Sequence, residues 1–167
     1  MTQATALAIL KSGANVFLTG EPGSGKTYLV NQYVCYLRDH DIQVAITAST
    51  GIAATHISGM TIHSWSGIGI KKTLTKYDLE AIAGTERLVK QINRAQVLLI
   101  DEISMLEANT LDMVEQVCRT VRKSPQPFGG LQVVLVGDFF QLPPVSKHGE
   151  APAQFAWSAT AWTESLF

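Results

Sequence analysis

The chain has 167 residues, of which 46% are hydrophobic and 16% are charged. A chain of this size and composition can bury a core without a disulfide or metal staple, which excludes a disordered segment. Thirteen basic and 14 acidic side chains give a formal charge of −1, which excludes a strongly basic nucleic-acid clamp but not a local basic groove. We therefore expect residues 1–167 to form one domain.

Apolar periodicity predicts a short opening helix followed by four buried strands. Leu7, Ile9 and Leu10 lie on the helix, which Gly13 would terminate. Continuous apolar strands are typical of a sheet that is covered on both faces. The strands are short runs rich in β-branched residues, and they cover residues 15–19, 43–48, 96–101 and 131–136.

Helical patterns fill the intervals between these strands. One helix is predicted over residues 26–38, short helices over 67–95, and another between the last two strands. Ser104 and Glu107 form a capping-box pattern at the start of this last helix. Strands that alternate with helices indicate parallel βαβ units with right-handed crossovers. The predicted fold class is therefore α/β, with a mostly parallel sheet and helices on both faces.

The segment GEPGSGKT matches the phosphate-loop pattern G-x-x-x-x-G-K-[ST] and lies between a predicted strand and a predicted helix. Gly23 and Gly25 let the backbone curl around an anion. Lys26 would reach the β- and γ-phosphates of a nucleotide, and the Thr27 hydroxyl would ligate Mg²⁺. A glycine-rich turn with a solvated lysine is the alternative, but it does not require the flanking strand and helix. The backbone amides that would face phosphate oxygens belong to Ser24, Gly25, Lys26, Thr27 and Tyr28.

The string VLLIDE places Asp101 and Glu102 at the carboxyl end of a buried strand, where ligands gather in open α/β sheets. Asp101 is suited to hold Mg²⁺ through its water shell, and Glu102 can orient or deprotonate the attacking water. An acidic turn that caps the next helix is the alternative interpretation. The upstream phosphate loop favours the metal-binding and base roles.

A further polar string, GDFFQLPPV, again follows a buried strand. Gln141 could hydrogen-bond the γ-phosphate or the attacking water, which is a catalytic role, and report the nucleotide state to a nucleic-acid path. Asp138 could assist Gln141 or fix the loop by local hydrogen bonds, and the sequence favours neither role.

The segment TASTGIAATHISGMTIHSW follows the second strand. Ser49, Thr50 and Gly51 begin a helix there, so their hydroxyls and amides would face a nucleic-acid phosphate or simply cap the helix. His63 could contact a backbone or a base, and Trp65 could stack on a base. Structural roles for both side chains are at least as well supported.

Taken together, these strings resemble the motifs of one helicase class. They look like the motifs of the Pif/RecD class of superfamily-one helicases. In the order phosphate loop, Ia, II and III, the matching strings are NVFLTGEPGSGKT, TASTGIAATHISGMTIHSW, VLLIDEISML and VGDFFQLPPV. The Pif branch is the closer match, and the resemblance covers residues 3–144. It implies a RecA-like P-loop NTPase domain that uses ATP and Mg²⁺ to move 5′ to 3′ on single-stranded DNA. It also implies unwinding of duplexes and forks in DNA repair, recombination and telomere maintenance.

The resemblance further implies roles for individual residues. Gln3 stands where the family places its adenine-reading glutamine, and Thr50, Gly51 and His63 stand among residues that line the DNA path. The expected partners are therefore single-stranded DNA and the rest of the same motor protein.

A helicase of this class also needs a second RecA-like lobe, whose arginines complete the ATP site. We interpret residues 1–167 as the N-terminal RecA-like ATPase lobe of a monomeric helicase, with little turnover and weak DNA affinity on its own. A nucleotide-gated binding module without motor activity is the alternative, whereas a generic P-loop ATPase leaves TIHSW and GDFFQLPPV unexplained. None of the five arginines lies in a motif that would let it act as an arginine finger at the ATP site. They are Arg38, Arg87, Arg94, Arg119 and Arg122.

Features outside these motifs predict an intracellular protein without a membrane partner, cytoplasmic if the source is bacterial. Cys35 and Cys118 form no C-x-x-C pair, which is typical of a reducing compartment. No apolar run approaches the roughly 20 residues of a membrane span, and no basic region precedes the first apolar residues. The histidines are scattered, His148 among them, so no metal other than Mg²⁺ is expected.

Overall fold

Five strands form a single sheet in which every neighbouring pair is parallel, in the order β1-β5-β4-β2-β3. The computed structural model describes residues 1–145, 152–165 and 167. The four predicted strands are confirmed, and the sequence missed β3 because two residues are too few to show a period. The strands are β1 (Val16–Leu18), β2 (Val44–Ala48), β3 (Met60–Thr61), β4 (Val97–Asp101) and β5 (Gln132–Val136).

Eight α-helices are formed by the described residues, and they include the helices expected between the strands. Short helices were predicted over residues 67–95, and this interval holds two. None of the helices in the described ranges is long and apolar enough to cross a membrane. The helices are α1 (Gln3–Lys11), α2 (Lys26–Asp39), α3 (Gly51–His56), α4 (Ile62–Ser66), α5 (Lys76–Gly84), α6 (Glu86–Arg94), α7 (Ala108–Arg122) and α8 (Thr160–Glu164).

Two apolar cores, one on each face of the sheet, hold these helices in place. Alternate residues of β4 separate the cores, since Leu99 packs with α1 and α2 whereas Leu98 and Ile100 pack with α4 to α8. All three side chains are fully buried, and each such burial contributes roughly 1.5–3 kcal/mol. The predicted α/β class with helices on both faces is therefore confirmed.

The predicted capping box at the start of α7 is wrong. The helix begins at Ala108, and its N-cap Glu107 makes no side-chain hydrogen bond to it. Ser104 lies instead in a short 3₁₀ turn, Ile103–Met105, where its buried hydroxyl has no partner among the described residues. The amide of Ala108 donates to the carbonyl of Gln154 at 2.9 Å. A distant segment of the chain thus satisfies the first amide of α7, and no local side chain caps this helix.

The parallel topology gathers three loops at one edge of the sheet. The carboxyl ends of β1, β4 and β5 lie side by side, and each is followed by one of the polar strings found in the sequence. Open α/β sheets bind ligands at this edge. The helices of the two faces leave the edge uncovered, so the three loops can form a common site.

Candidate active site

A cavity of about 460 Å³ lies at the carboxyl edge of the sheet. It is lined by Lys26 and Thr27 after β1, by Asp101 and Glu102 at the end of β4, and by Gln141 after β5. The structure therefore brings together five residues that the sequence singled out from three separate strings.

The phosphate loop presents free backbone donors to this cavity. Gly25 is the N-cap of α2 with φ of +87°, and it makes no side-chain cap, so a left-handed turn that favours glycine opens the helix. The first helical bond runs from the amide of Leu29 to the carbonyl of Gly25 at 3.0 Å. The amides of Lys26, Thr27 and Tyr28 precede it and have no partner within the helix, which makes them donors for an anion.

Two other predicted loop residues take different positions. Gly23 has φ of +79° with open space around its α-carbon, as a loop that curls around an anion requires. The amide of Ser24, in contrast, donates to the carbonyl of Glu21 at 3.1 Å. In this conformation the Ser24 amide is therefore occupied by the loop itself.

Lys26 and Gln3 both lie against the loop. The Lys26 ammonium donates to the carbonyl oxygens of Gly20 and Glu21, so its charge is held at the loop by backbone groups. Gln3 is the first residue of α1, and its side-chain amide lies where a Cβ on Gly25 would be. A glutamine 22 positions upstream thus contacts the loop, although it does not line the cavity.

The acidic pair is held by an unusual backbone at the end of β4. Glu102 has φ of +54°, and its amide donates to Oδ1 of Asp101 at 2.9 Å. The amide of Ser49 donates to the carbonyl of Asp101 at 3.1 Å, and the Ser49 hydroxyl donates to the carbonyl of Glu102 at 2.8 Å. These bonds fix the direction in which both carboxylates leave the strand.

Both carboxyl groups have a raised pKa. Burial is the main cause for Asp101, and the Glu102 amide and the Lys26 charge oppose it. Burial is again the main cause for Glu102, with the neighbouring Asp101 charge adding to it and Lys26 opposing it. A carboxylate that holds its proton more tightly is also a stronger base, which suits Glu102 to accept a proton from water.

Replacing Glu102 by glutamine is expected to stabilise the nucleotide-free chain near neutral pH. The unfolded carboxyl ionises near 4.5 and the folded one at a higher pH. Between these values the folded state binds more protons, so its stability falls as the pH rises through the interval. Urea unfolding of both proteins should show an advantage for Glu102→Gln at neutral pH that shrinks below pH 4.5. An advantage of equal size at both pH values would contradict this cause.

The loop after β5 is organised around Asp138. Oδ1 of Asp138 accepts the amide of Phe140 at 3.0 Å, and Oδ2 accepts Nε2 of Gln141 at 3.3 Å. The amide of Gln141 also donates to the carbonyl of Asp138 at 3.0 Å. Of the two roles considered for Asp138, these bonds correspond to fixing the loop. They hold Gln141 at the cavity.

The residues present fit a magnesium–nucleotide complex. The Thr27 hydroxyl and the Asp101 carboxylate both line the cavity, and hydroxyl and carboxylate oxygens are the ligands that Mg²⁺ prefers. The free amides and Lys26 provide the positive side that a triphosphate needs. Among the described residues, no three His, Cys, Asp or Glu side chains converge as a separate metal site; His148 lies outside those residues.

A second groove, of about 300 Å³, holds two of the three predicted DNA-binding residues. Thr50 and His63 line it together with Lys71 and Lys72. The Thr50 hydroxyl accepts the amide of Ala53 at 3.2 Å and so caps α3. Thr50 therefore caps the helix, which is one of its two predicted roles, and it also lines the groove.

His63 and Gly51 contribute to this region in different ways. His63 is half-buried, and burial lowers its pKa, against a smaller opposing effect of Glu107. The imidazole is therefore neutral at physiological pH and suits hydrogen bonding more than charge pairing. Gly51 begins α3 at an exposed position next to Thr50, outside the residues that line the groove.

Two side chains considered for nucleic-acid contact are structural. Ser49 is buried and bonded to Glu102, so its hydroxyl does not face a ligand. Trp65 is 3% exposed and packs in the core, where it cannot stack on a base. Lys71 and Lys72 line the second groove without having been singled out in the sequence, where the adjacent lysines in IKKTL were the available signal.

Comparison with known proteins gives a consistent result. The PIF1-like helicase family model matches residues 1–166. The ATP-dependent DNA helicase Pif1 of Psychrobacter sp. (strain PRwf-1) is 56% identical over 100% of the chain, which spans 26% of that relative's length.

Solved structures agree in fold as well as in sequence. The crystal structure of Pif1 helicase from Candida albicans has a TM-score of 0.91 and 37% identity, over 99% of this chain and 37% of that one. Pif1 helicase from Bacteroides in complex with ADP-AlF3 and single-stranded DNA has a TM-score of 0.84 and 34% identity, over 97% of this chain and 39% of that one. The sheet is thus the RecA-like P-loop NTPase fold of these helicases, and the chain belongs to the PIF1-like helicase family.

Proposed function

We propose that residues 1–167 are the N-terminal RecA-like motor lobe of an ATP-dependent DNA helicase that binds and hydrolyses ATP. The observation that carries this proposal is the single cavity in which Lys26, Thr27, Asp101, Glu102 and Gln141 meet. The similarity to a Pif1 helicase solved with ADP-AlF3 supports a nucleotide as the ligand. Phosphoryl transfer needs this combination of a phosphate cradle, a metal-binding carboxylate and a residue that handles water.

Each residue of the cavity then has a defined task. Lys26 leaves the carbonyls of the loop to contact the β- and γ-phosphates, and the α2 amides hold the phosphate oxygens. Thr27 and Asp101 hold Mg²⁺, which when bound neutralises charge on the phosphates. Glu102 accepts a proton from the attacking water, and Gln141 orients that water or the γ-phosphate. Gln3, beside Gly25, reads the adenine edge.

Single-stranded DNA is the proposed substrate of the second groove. Thr50, Gly51 and His63 would contact its backbone, and Lys71 and Lys72 would attract its phosphates. The similarity to a Pif1 helicase in complex with single-stranded DNA supports this assignment. We extend the proposal to 5′→3′ movement, to unwinding at forks and to a role in genome maintenance, on the resemblance of all four motifs to the Pif branch.

A second lobe of the same protein is proposed to complete the ATP site. Arg38 is the one arginine that lines the cavity. It lies 12 residues after Lys26 on α2, or about 18 Å along the helix, which is too far to reach the same phosphate. A finger arginine therefore has to come from elsewhere, and we propose a monomer in which the second lobe supplies it.

Substituting Lys26 by alanine in a full-length protein that contains this sequence is expected to abolish unwinding. Loss of a fixed positive group at the developing charge costs about 10²–10³ in rate, in addition to lost nucleotide affinity. The measurement is unwinding of a fluorescent fork with a 5′ tail, beside Lys90→Ala as an exposed lysine substitution outside both the cavity and the second groove. Unimpaired unwinding by Lys26→Ala would remove the motor assignment.

The distance between Arg38 and the loop also favours a second candidate, a nucleotide-gated binding module without motor activity. Such a module would bind ATP without any arginine finger. The two functions can be distinguished in the full-length protein. A binding module would change its affinity for DNA when ATP binds, but it would leave the duplex intact. Strand separation that requires hydrolysable ATP would exclude the module.

A further inference from the structure

The outer edge of β2 is open along its first half. β4 pairs with all of Val44–Ala48 on one side, whereas β3 pairs on the other side at Thr47 and Ala48. No strand of the described part pairs with Val44–Ile46 on that side. An unpaired strand edge is a template for an additional strand.

Backbone donors face this open side. The carbonyl of Gln43 accepts the amides of Gln96 and Val97 on the β4 side. Since backbone groups alternate in direction along a strand, the N–H groups of Val44 and Ile46 point to the open side. Gly59 lies so close to the carbonyl oxygen of Ile46 that a Cβ at this position would clash with it. Gly59 therefore covers the carboxyl end of the open edge.

Two arginines stand beside the open edge, one on each face of the sheet. Arg38 comes from α2, which packs on one face, and Arg94 comes from α6, which packs on the other. They line a shared groove of about 460 Å³, and no carboxylate lines it. Arg94 donates through Nε to Oε1 of Gln43 at 3.0 Å, and Arg38 has no ion pair within the described residues. The groove is therefore positively charged.

We infer that this groove binds an extended acidic peptide segment of a partner protein, which adds a strand to the edge of β2. Successive side chains of a strand point to opposite faces. Two consecutive acidic residues would therefore direct one carboxylate to Arg38 and the next to Arg94. The peptide backbone would pair with Val44 and Ile46.

The position of the groove distinguishes this occupant from the ligands proposed above. Arg38, Ile46 and Ser58 line both this groove and the nucleotide cavity. Gln43, Val44 and Arg94 line the groove alone, and no residue of the phosphate loop lines it. A nucleic acid would pair with the arginines but has no alternating amide donors and acceptors to match a strand edge. An acidic peptide matches both features.

Binding of a fluorescein-labelled peptide, GVDDVDDV, by residues 1–167 tests the inference. Arg38→Gln/Arg94→Gln is expected to weaken binding about tenfold, as two partly exposed ion pairs would. Arg87→Gln removes an exposed arginine of α6 outside the groove, and it should bind like the wild type. Hydrogen exchange at the amides of Val44 and Ile46 should slow when the peptide binds.

Two control peptides sharpen the result. GVNNVNNV keeps the shape without the charge, and a GVDDVDDV peptide with alternate N-methyl amides keeps the charge without the donors. Both should bind more weakly than GVDDVDDV. The inference would be overturned if either control peptide bound as tightly as GVDDVDDV, or if the double substitution left binding unchanged. It would also be overturned if oligothymidylate displaced the peptide and its own binding depended equally on both arginines.

Discussion

Residues 1–167 alone are expected to hydrolyse ATP about 10³–10⁵-fold more slowly than a full-length helicase that contains them, because a finger arginine contributes a factor of that size. This corresponds to roughly 4–7 kcal/mol of barrier. Arg38, the arginine of the cavity, is separated from Lys26 by most of α2 and cannot replace the finger. Steady-state turnover with and without single-stranded DNA, measured beside nucleotide binding in the same samples, tests this expectation.

The two measurements together separate the possible causes of a slow rate. Tight nucleotide binding with almost no turnover would mean that the ATP site is half complete. Rapid turnover that DNA stimulates would instead mean that a second copy of the chain supplies an arginine, and the monomer proposed above would be wrong. Sedimentation at the assay concentration would then show self-association.

Glu102→Gln in the full-length protein is expected to lower ATP hydrolysis by about 10²–10⁴-fold, the usual contribution of a general base. Glutamine keeps the size and hydrogen-bonding reach of the side chain but cannot accept the proton of water. Because Lys26, Thr27 and the loop amides are untouched, ATP should still bind and remain bound. Rapid-quench measurement of a single turnover, beside equilibrium binding of a fluorescent ATP analogue, separates these two effects.

Asp138→Asn is the matched control for Glu102→Gln. Asp138 also lines the cavity, but its carboxylate is engaged by Phe140 and Gln141. An amide at this position retains one acceptor, so hydrolysis should fall far less than in Glu102→Gln. A larger loss in Asp138→Asn would move the base role away from Glu102.

Local sequence patterns were sufficient for the parts of the molecule that depend on neighbours in the chain. The apolar runs before Asp101 and Gly137 predicted β4 and β5. The spacing in GEPGSGKT predicted a loop that curls around an anion, and Gly23 and Gly25 in that loop have positive φ. The parallel topology then followed from alternation of strands with helices. This topology alone predicts that Lys26, Glu102 and Gln141 approach one another.

Residues whose partners are distant in the chain were not predictable in the same way. Ser49 has the sequence context of a helix start, but its hydroxyl reaches Glu102, 53 positions away. Trp65 follows a polar motif and is nevertheless buried in the core that α4 to α8 form on one face of the sheet. Ser104 and Glu107 looked like a capping box, but α7 begins at Ala108, whose amide donates to the carbonyl of Gln154. For Ser49 and Trp65, tertiary packing decided between alternatives that the sequence left open, and at α7 it overturned the local prediction.

The two hydrogen bonds of Ser49 have a thermodynamic consequence. Ser49 is attached to both residues of the acidic pair, and the next residue, Thr50, caps the helix beside the second groove. The Glu102 backbone is therefore connected to the wall of that groove through Ser49 and Thr50. For the ATP site and the DNA groove proposed above, linkage then requires reciprocity: whatever factor ATP imposes on the affinity for single-stranded DNA, DNA imposes on the affinity for ATP. Measuring either affinity in the presence of the other ligand gives the same coupling free energy.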